Sequence, residues 1–241
     1  MKAGWLRAML VLVTVATAGC ATPALQSNRA ELNSRAQKLK NVVLLSPDTK
    51  ICELSAGGVR EQHDDWCTAG RINLEKAIIE NLRETGISVK VLTVPADLAN
   101  EADEIKLLYR VVMASMYTHA YHWNGRNPNF FPDRMKNFDY TVGSLDKLLK
   151  EQKADGLLLV QAEDDISSSG RKALLVVQAI NPLGTKAGSG ATKAIIALAD
   201  RKGDILWDNF FIESGDYDLR DLESATSFVK VLLDGFPMEG K

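Results

Sequence analysis

The spacing of apolar residues between positions 41 and 94 constrains the fold more than any other feature of the chain. Asn41–Leu45 is a short apolar run and predicts a buried strand, which Pro47 ends because proline cannot donate to a ladder. Apolar residues then recur at helical spacing over Arg71–Thr85, at Leu74, Ala77, Ile78 and Leu82. Ile87–Val94 alternates as a second strand. This strand, helix, strand order implies a right-handed crossover and parallel pairing.

Later segments continue the alternation. The predicted helices are Glu101–His119, a short one around Leu145–Leu149, and a last amphipathic one over Ala225–Leu233. The predicted strands are Leu157–Gln161, Ala194–Leu198 and Ile205–Ile212. The last two flank Asp200–Asp204 and form an antiparallel hairpin. Ala173–Ile180 is apolar on nearly all sides and fits helix or strand; we favour a helix capped by a preceding serine.

These elements predict one α/β domain over residues 41–241. Its sheet is expected to be mixed and mostly parallel, with an antiparallel C-terminal hairpin and flanking helices. No internal repeat or Pro/Gly/Ser-rich linker divides the chain.

The first nineteen residues predict export. Lys2 and Arg7 form a positive n-region, and the apolar run over Ala8–Ala18 is too short to span a bilayer. Thr17-Ala18-Gly19-Cys20 resembles the lipobox of bacterial lipoproteins, although Leu is usual where Thr17 stands. This resemblance implies a signal peptide over residues 1–19, cleavage before Cys20, and acylation of Cys20.

Residues 20–40 are polar and charged, which predicts a lipidated tether between a membrane and the domain. Ala21 occupies the position at which enteric lipoproteins carry an Asp for retention at the inner membrane. The expected location is therefore the periplasmic face of the outer membrane, with the inner membrane as the alternative.

Charge and cysteine content narrow the function classes. Removal of Lys2 and Arg7 with the signal peptide lowers the net charge from −2 to −4, which argues against a nucleic-acid partner. Cys52 and Cys67 remain in an oxidising compartment, where a disulfide is allowed. The bridge would close a loop of roughly 16 residues and stabilise the fold by about 3 kcal/mol. Two free thiols are the alternative.

An irregular aromatic stretch is the candidate partner-binding segment. It follows Trp123 and contains Phe130 and Phe131, with Pro128 and Pro132 close by. A long loop inside a compact domain is usually functional or mobile. Since adjacent residues of an extended segment point in opposite directions, at least one of the two phenylalanines should be exposed.

Metal and cofactor motifs are weak. His63, Asp64, Asp65 and Cys67 lack the paired spacing of a zinc site, and His119 and His122 lack a nearby third ligand. We therefore predict neither a metal site nor a cofactor. The acidic run Glu163-Asp164-Asp165 follows a predicted central strand, and we interpret it as a solvated loop.

Four segments carry a family resemblance: Ser55-Ala56-Gly57-Gly58-Val59-Arg60, Phe138-Asp139-Tyr140-Thr141-Val142-Gly143, Ala154-Asp155-Gly156 to Ser169-Gly170-Arg171, and Gly215-Asp216-Tyr217-Asp218-Leu219-Arg220. They resemble an uncharacterised family of proteobacterial lipoproteins. The order of elements is more remotely similar to lipoproteins of curli secretion and of penicillin-binding-protein activation, whose α/β domains bind other proteins. That similarity is one of architecture, and function does not follow from fold.

The sequence thus favours a lipoprotein without catalytic residues, attached to a membrane through acylated Cys20 and binding a protein of an envelope assembly. The alternative is a metal-dependent or carboxylate-based hydrolase built on Glu163, Asp164, Asp165 and the histidines.

Overall fold

The computed structural model describes residues 29–119, 128–180, 190–213 and 217–237. The strands are β1 Asn41–Leu44, β2 Asp48–Leu54, β3 Arg60–Gln62, β4 Ser88–Val91, β5 Gly156–Ser167, β6 Thr192–Asp200 and β7 Ile205–Glu213. The helices are α1 Arg29–Ala36, α2 Asp64–Arg83, α3 Ala99–His119, α4 Pro132–Lys136, α5 Asp146–Glu151, α6 Ser169–Ile180 and α7 Leu222–Leu232.

The central strand of the mixed sheet is β5. One edge of β5 pairs in parallel with β1 and then with β2, and the other edge pairs antiparallel with β6. Outside these, β4 runs parallel to β1, β3 antiparallel to β2, and β7 antiparallel to β6. The predicted α/β class is confirmed, as are the β1–α2–β4 crossover and the C-terminal hairpin.

Three differences from the predicted elements concern β2, α2 and β5. The break at Pro47 spans only a few residues, and the chain resumes beside β5 as β2, a strand that the sequence pattern did not indicate. The second helix begins at Asp64 instead of Arg71. Within this helix Gly70 allows a close approach to β2, because a Cβ at residue 70 would lie 2.5 Å from Ile51 Cδ1 and would force that buried side chain to shift.

The third difference concerns β5, which extends to Ser167 instead of ending at Gln161. The acidic run Glu163-Asp164-Asp165 is therefore part of this strand. The helical interpretation of residues 173–180 is confirmed by α6. A serine assists its start, since Arg171 N donates to Ser168 Oγ over 3.2 Å. Its predicted end near Gly184 lies outside the described residues.

Helices cover both faces of the sheet. On one face, α2 and α7 pack against each other and against the strands. On the other, α3 is fastened by the Tyr109 hydroxyl, which lies 3.0 Å from the carbonyl oxygens of both Leu159 and Ile195. Among the helices that the structure describes, none is long and apolar enough to cross a bilayer.

Part of the predicted tether, residues 20–40, is folded as helix α1. Within α1, Leu32 and Ala36 are buried, and the helix contacts β7. Arg29 pairs with Asp208 and lies 3.5 Å above the centre of the Phe138 ring. The folded domain therefore includes α1, which lies before the predicted start at residue 41.

Candidate functional site

Helix α3 is apolar on two sides. Its sheet-facing side buries Ala102, Ile105, Tyr109, Met113 and Met116. On the opposite side Leu107 is 58% exposed, Leu108 41% and Val111 67%. Residues three and four apart are neighbours on a helix surface, so these three side chains form one apolar strip.

Phe131 lies beside the C-terminal end of this helix. Its ring centroid is 5.0 Å from that of His119, and 54% of the residue is exposed. Its backbone N–H donates to the His119 carbonyl oxygen over 2.9 Å, and His119 Nδ1 lies 2.9 Å from the carbonyl oxygen of Asn129. The main chain on both sides of Phe130 is thus tied to α3.

Together Leu107, Leu108, Val111 and Phe131 define what we call the α3–Phe131 surface. The twelve residue steps from Leu107 to His119 rise about 18 Å along the helix, so the strip and the aromatic ring mark the two ends of an extended surface. A cavity of about 610 Å³ opens at its Phe131 end, lined partly by Ser115, Arg134, Asp139 and Tyr140.

Sequence reasoning found only part of this surface. Phe131 was a predicted candidate and is exposed, while Phe130 is half-buried. Trp123 lies outside the described residues. The strip on α3 was not predicted from the sequence. A helical projection of residues 104–119 shows it as a second apolar side, opposite the buried one.

The acidic run does not form one site. Side chains alternate along a strand, so Asp164 points to the face of α2 and α7 while its neighbours point to the face of α3. Asp164 is 1% exposed and accepts hydrogen bonds from Thr192 Oγ1 at 2.8 Å and from Leu219 N at 2.9 Å. The solvated-loop interpretation of this residue is wrong. Burial raises the pKa of its carboxyl to about 6.

On the other face the carboxylates are paired. Glu163 lies 3.1 Å from Lys193 Nζ and 3.2 Å from Arg60 Nη2, and Asp165 lies 2.7 Å from Arg60 Nε. Although burial opposes ionisation, Lys193 and Arg60 hold the pKa of the Glu163 carboxyl below its usual value. These carboxylates act as partners in ion pairs with Arg60 and Lys193.

A groove of about 330 Å³ lies between α3 and the ends of β5, β6 and β7. Its polar lining includes Arg110, Glu163 and Lys193, and its apolar lining includes Ile195 and Ile212. Arg110 donates from Nε to Asp48 over 2.7 Å. The charged groups that line the groove are thus joined in ion pairs, and we assign no chemistry to it.

The histidines lie apart. His63 stacks on Trp66 with ring centroids 4.2 Å apart, whereas His119 contacts Phe131. His122 falls outside the described residues. Within the described ranges, no three His, Cys, Asp or Glu side chains are grouped so that they could hold a metal ion.

Cys52 and Cys67 are free thiols in this structure. Cys67, on α2, accepts a hydrogen bond at Sγ from Ile51 N over 3.2 Å. Ile51 faces α2, so the next residue, Cys52, faces away from it. The two thiols therefore lie on opposite sides of β2.

Comparison with known proteins gives little further information. No protein-family model matches the chain, and no curated protein matches it. Among solved structures, the C-terminal domain of LpoB from Salmonella enterica is similar over 78% of this chain and 96% of that domain, at 10% identity and a TM-score of 0.24. The function is therefore argued from the residues of this chain.

Proposed function

We propose that this chain is a lipid-anchored accessory protein of the bacterial envelope that binds a protein partner through the α3–Phe131 surface. The supporting observation is three large apolar side chains exposed on one side of α3, with Phe131 exposed and fixed at the C-terminal end of the same helix. Single exposed apolar residues are normal on a protein surface, whereas grouped ones mark interaction sites.

The geometry of the surface favours binding at low entropic cost. Leu107, Leu108 and Val111 project from a regular helix, and Phe131 is tied to that helix by its backbone. Binding then orders side chains only, and side chains cost less to immobilise than a loop. Phe131 has the features of an interface anchor, since aromatic residues dominate the binding energy of many interfaces.

The envelope location is supported by the export signal and by Cys20 at its end. Stable membrane attachment needs more than one acyl chain, which the triacylated cysteine of bacterial lipoproteins would provide. Cys20→Ser removes the acyl acceptor, so we expect that variant to stay uncut or to become soluble. If Cys20→Ser fractionates with the outer membrane as wild type does, lipid anchoring is excluded.

Partner binding is tested with Phe131→Ala. We expect it to weaken capture of crosslinked partner from intact cells roughly 30-fold, which corresponds to the ~2 kcal/mol typical of an interface anchor. Val177→Ala is the matched control, because Val177 of α6 is 62% exposed but lies on a different helix. Equal capture by wild type and Phe131→Ala would contradict the proposed surface.

A further inference from the structure

We propose that the partner is a membrane protein whose docking site lies beside the bilayer and presents an apolar patch flanked by basic side chains. This inference rests on the proposed function, and it adds where the partner sits and what chemistry it offers. It follows from the short distance between the acylation site and the first fixed residue of the domain.

The tether limits how far the domain can move from the membrane. Nine residue steps separate Cys20 from Arg29. At ~3.3–3.6 Å per residue they span at most about 30 Å, whatever their conformation. Arg29 itself is held by Asp208 and by the Phe138 ring, and the buried Leu32 keeps α1 on the domain. The tether can become longer only if α1 separates from the rest of the domain.

The α3–Phe131 surface lies near this attachment point. Phe131 precedes α4, whose five residues rise only ~1.5 Å each, and Phe138 follows shortly after. The Phe138 ring carries the Arg29 guanidinium. In addition, Asp139 and Tyr140 line both the cavity beside Phe131 and a smaller cavity beside α1.

The backbone from Phe131 to Phe138 covers at most about 18 Å, given ~1.5 Å per helical and ~3.5 Å per extended residue, and the Phe138 and Arg29 side chains add about 15 Å, so Phe131 lies within roughly 35 Å of Arg29. Phe131 can therefore lie at most about 65 Å from the acylated sulfur. A partner that docks there must bring its own site equally close to the membrane. A protein embedded in or anchored to the same membrane meets this condition at all times.

The charges around the surface favour a protein over the lipid itself. Asp103 and Glu104 are exposed one turn before Leu107 and Leu108. Near the Phe131 end Asp139 pairs with Arg134 over 3.1 Å, so the excess of negative charge lies at the Leu107 end of the surface. Surfaces that lie on membranes are instead rich in Lys and Arg on their polar side. Exposed carboxylates next to an apolar strip complement basic side chains on a protein partner.

The test changes the tether length and leaves the domain intact. A photo-crosslinking phenylalanine analogue replaces Phe131 in the full-length chain in intact cells. Twenty residues are then inserted between Asn28 and Arg29, either as a flexible Gly/Ser segment or as a rigid (EAAAK)4 helix of ~30 Å. The control places the same helix between Gly57 and Gly58, which are exposed in the turn before β3.

We expect the protein adduct to partition with membranes. The flexible insert should lower its yield about sixfold or less, because effective concentration falls roughly as the −3/2 power of linker length. The rigid insert should lower it more than tenfold, and the control insert should leave it unchanged. Unchanged yield with the rigid insert would overturn the inference while leaving the proposed function standing.

Four other outcomes also decide the matter. An adduct with lipid, with a second copy of this chain or with a freely soluble protein overturns a membrane-protein partner. The absence of any protein adduct in the chain without an insert contradicts the proposed function as well. Lipid attachment at Cys20 is measured separately by mass spectrometry, so that a failed anchor is distinguished from a wrong surface.

Discussion

The backbone N–H of Phe131 donates a 2.9 Å hydrogen bond to the carbonyl oxygen of His119. This bond holds an exposed aromatic residue against the last turn of α3 through its main chain and not through its ring. The ring can therefore be removed without releasing the backbone, so binding and folding can be separated by experiment.

We expect Phe131→Ala to change the free energy of unfolding by less than about 0.5 kcal/mol, as for ordinary surface substitutions. Phe138→Ala is the matched comparison, because Phe138 is buried and supports the Arg29 guanidinium. Loss of a buried phenylalanine ring costs about 3 to 5 kcal/mol. Denaturant unfolding measures both. If Phe131→Ala destabilises as much as Phe138→Ala, Phe131 belongs to the core and the docking surface is wrong.

Gly203 in the hairpin turn should not tolerate a side chain. Its φ is +84°, and a Cβ would lie 1.7 Å from the carbonyl oxygen of Gly143. Gly58 has nearly the same φ of +82° but open space around it. We expect Gly58→Ala to cost about 1–2 kcal/mol of stability from backbone strain, and Gly203→Ala about 2–5 kcal/mol from strain and overpacking. Equal losses in thermal or denaturant unfolding would show that Gly143 can move aside.

The spacing of apolar residues predicted those helices and strands whose spacing fits one type of secondary structure throughout. The β1–α2–β4 crossover and the β6–β7 hairpin were found because their apolar spacing and turn residues agree with their final structure. The strand β2 was missed because Asp48–Leu54 is mixed in polarity. It becomes a strand by pairing with β5 and β3, and a tertiary pairing of this kind cannot be read from its own residues.

The candidate site shows the same limit. Phe131 was identified from its neighbours in sequence. Leu107 and Val111 can be recognised as exposed apolar residues only after the buried side of α3 has been assigned. Asp164 was misjudged because charged residues usually face water. Its burial depends on Thr192 and on the Leu219 backbone, and both lie far away in sequence.

The Asp164 carboxyl should make stability depend on pH. Burial raises its pKa from 3.8 to about 6, so its contribution to stability is fully present below the ordinary value and is lost as pH rises through about 6. Asp164→Asn removes this titration, and its amide can still accept from Leu219 N. We expect the fall in unfolding free energy between pH 4 and pH 7 to shrink by about 2 kcal/mol.

A control of opposite sign tests this assignment. The pKa of Glu163 is lowered, so its contribution is present above the ordinary value and is lost as pH falls. Glu163→Gln should therefore change the pH slope in the other direction. Denaturant unfolding at a series of pH values measures both variants. An unchanged slope in Asp164→Asn would show that its carboxyl is not perturbed.

The two cysteines of the domain should react differently with an alkylating reagent. Cys67 is half-buried on α2, whereas Cys52 is buried on the other side of β2, and burial raises the pKa of its thiol. Thiolate is the reactive form, so we expect Cys67 to be modified first and Cys52 only after unfolding. Peptide mass spectrometry identifies the modified site, and unfolded protein serves as the control.

Since a disulfide needs Cβ atoms roughly 4 Å apart, a bridge between Cys52 and Cys67 would require a shift of β2 or α2. Protein from the periplasm that resists alkylation at both sites until it is reduced would show that this shift occurs.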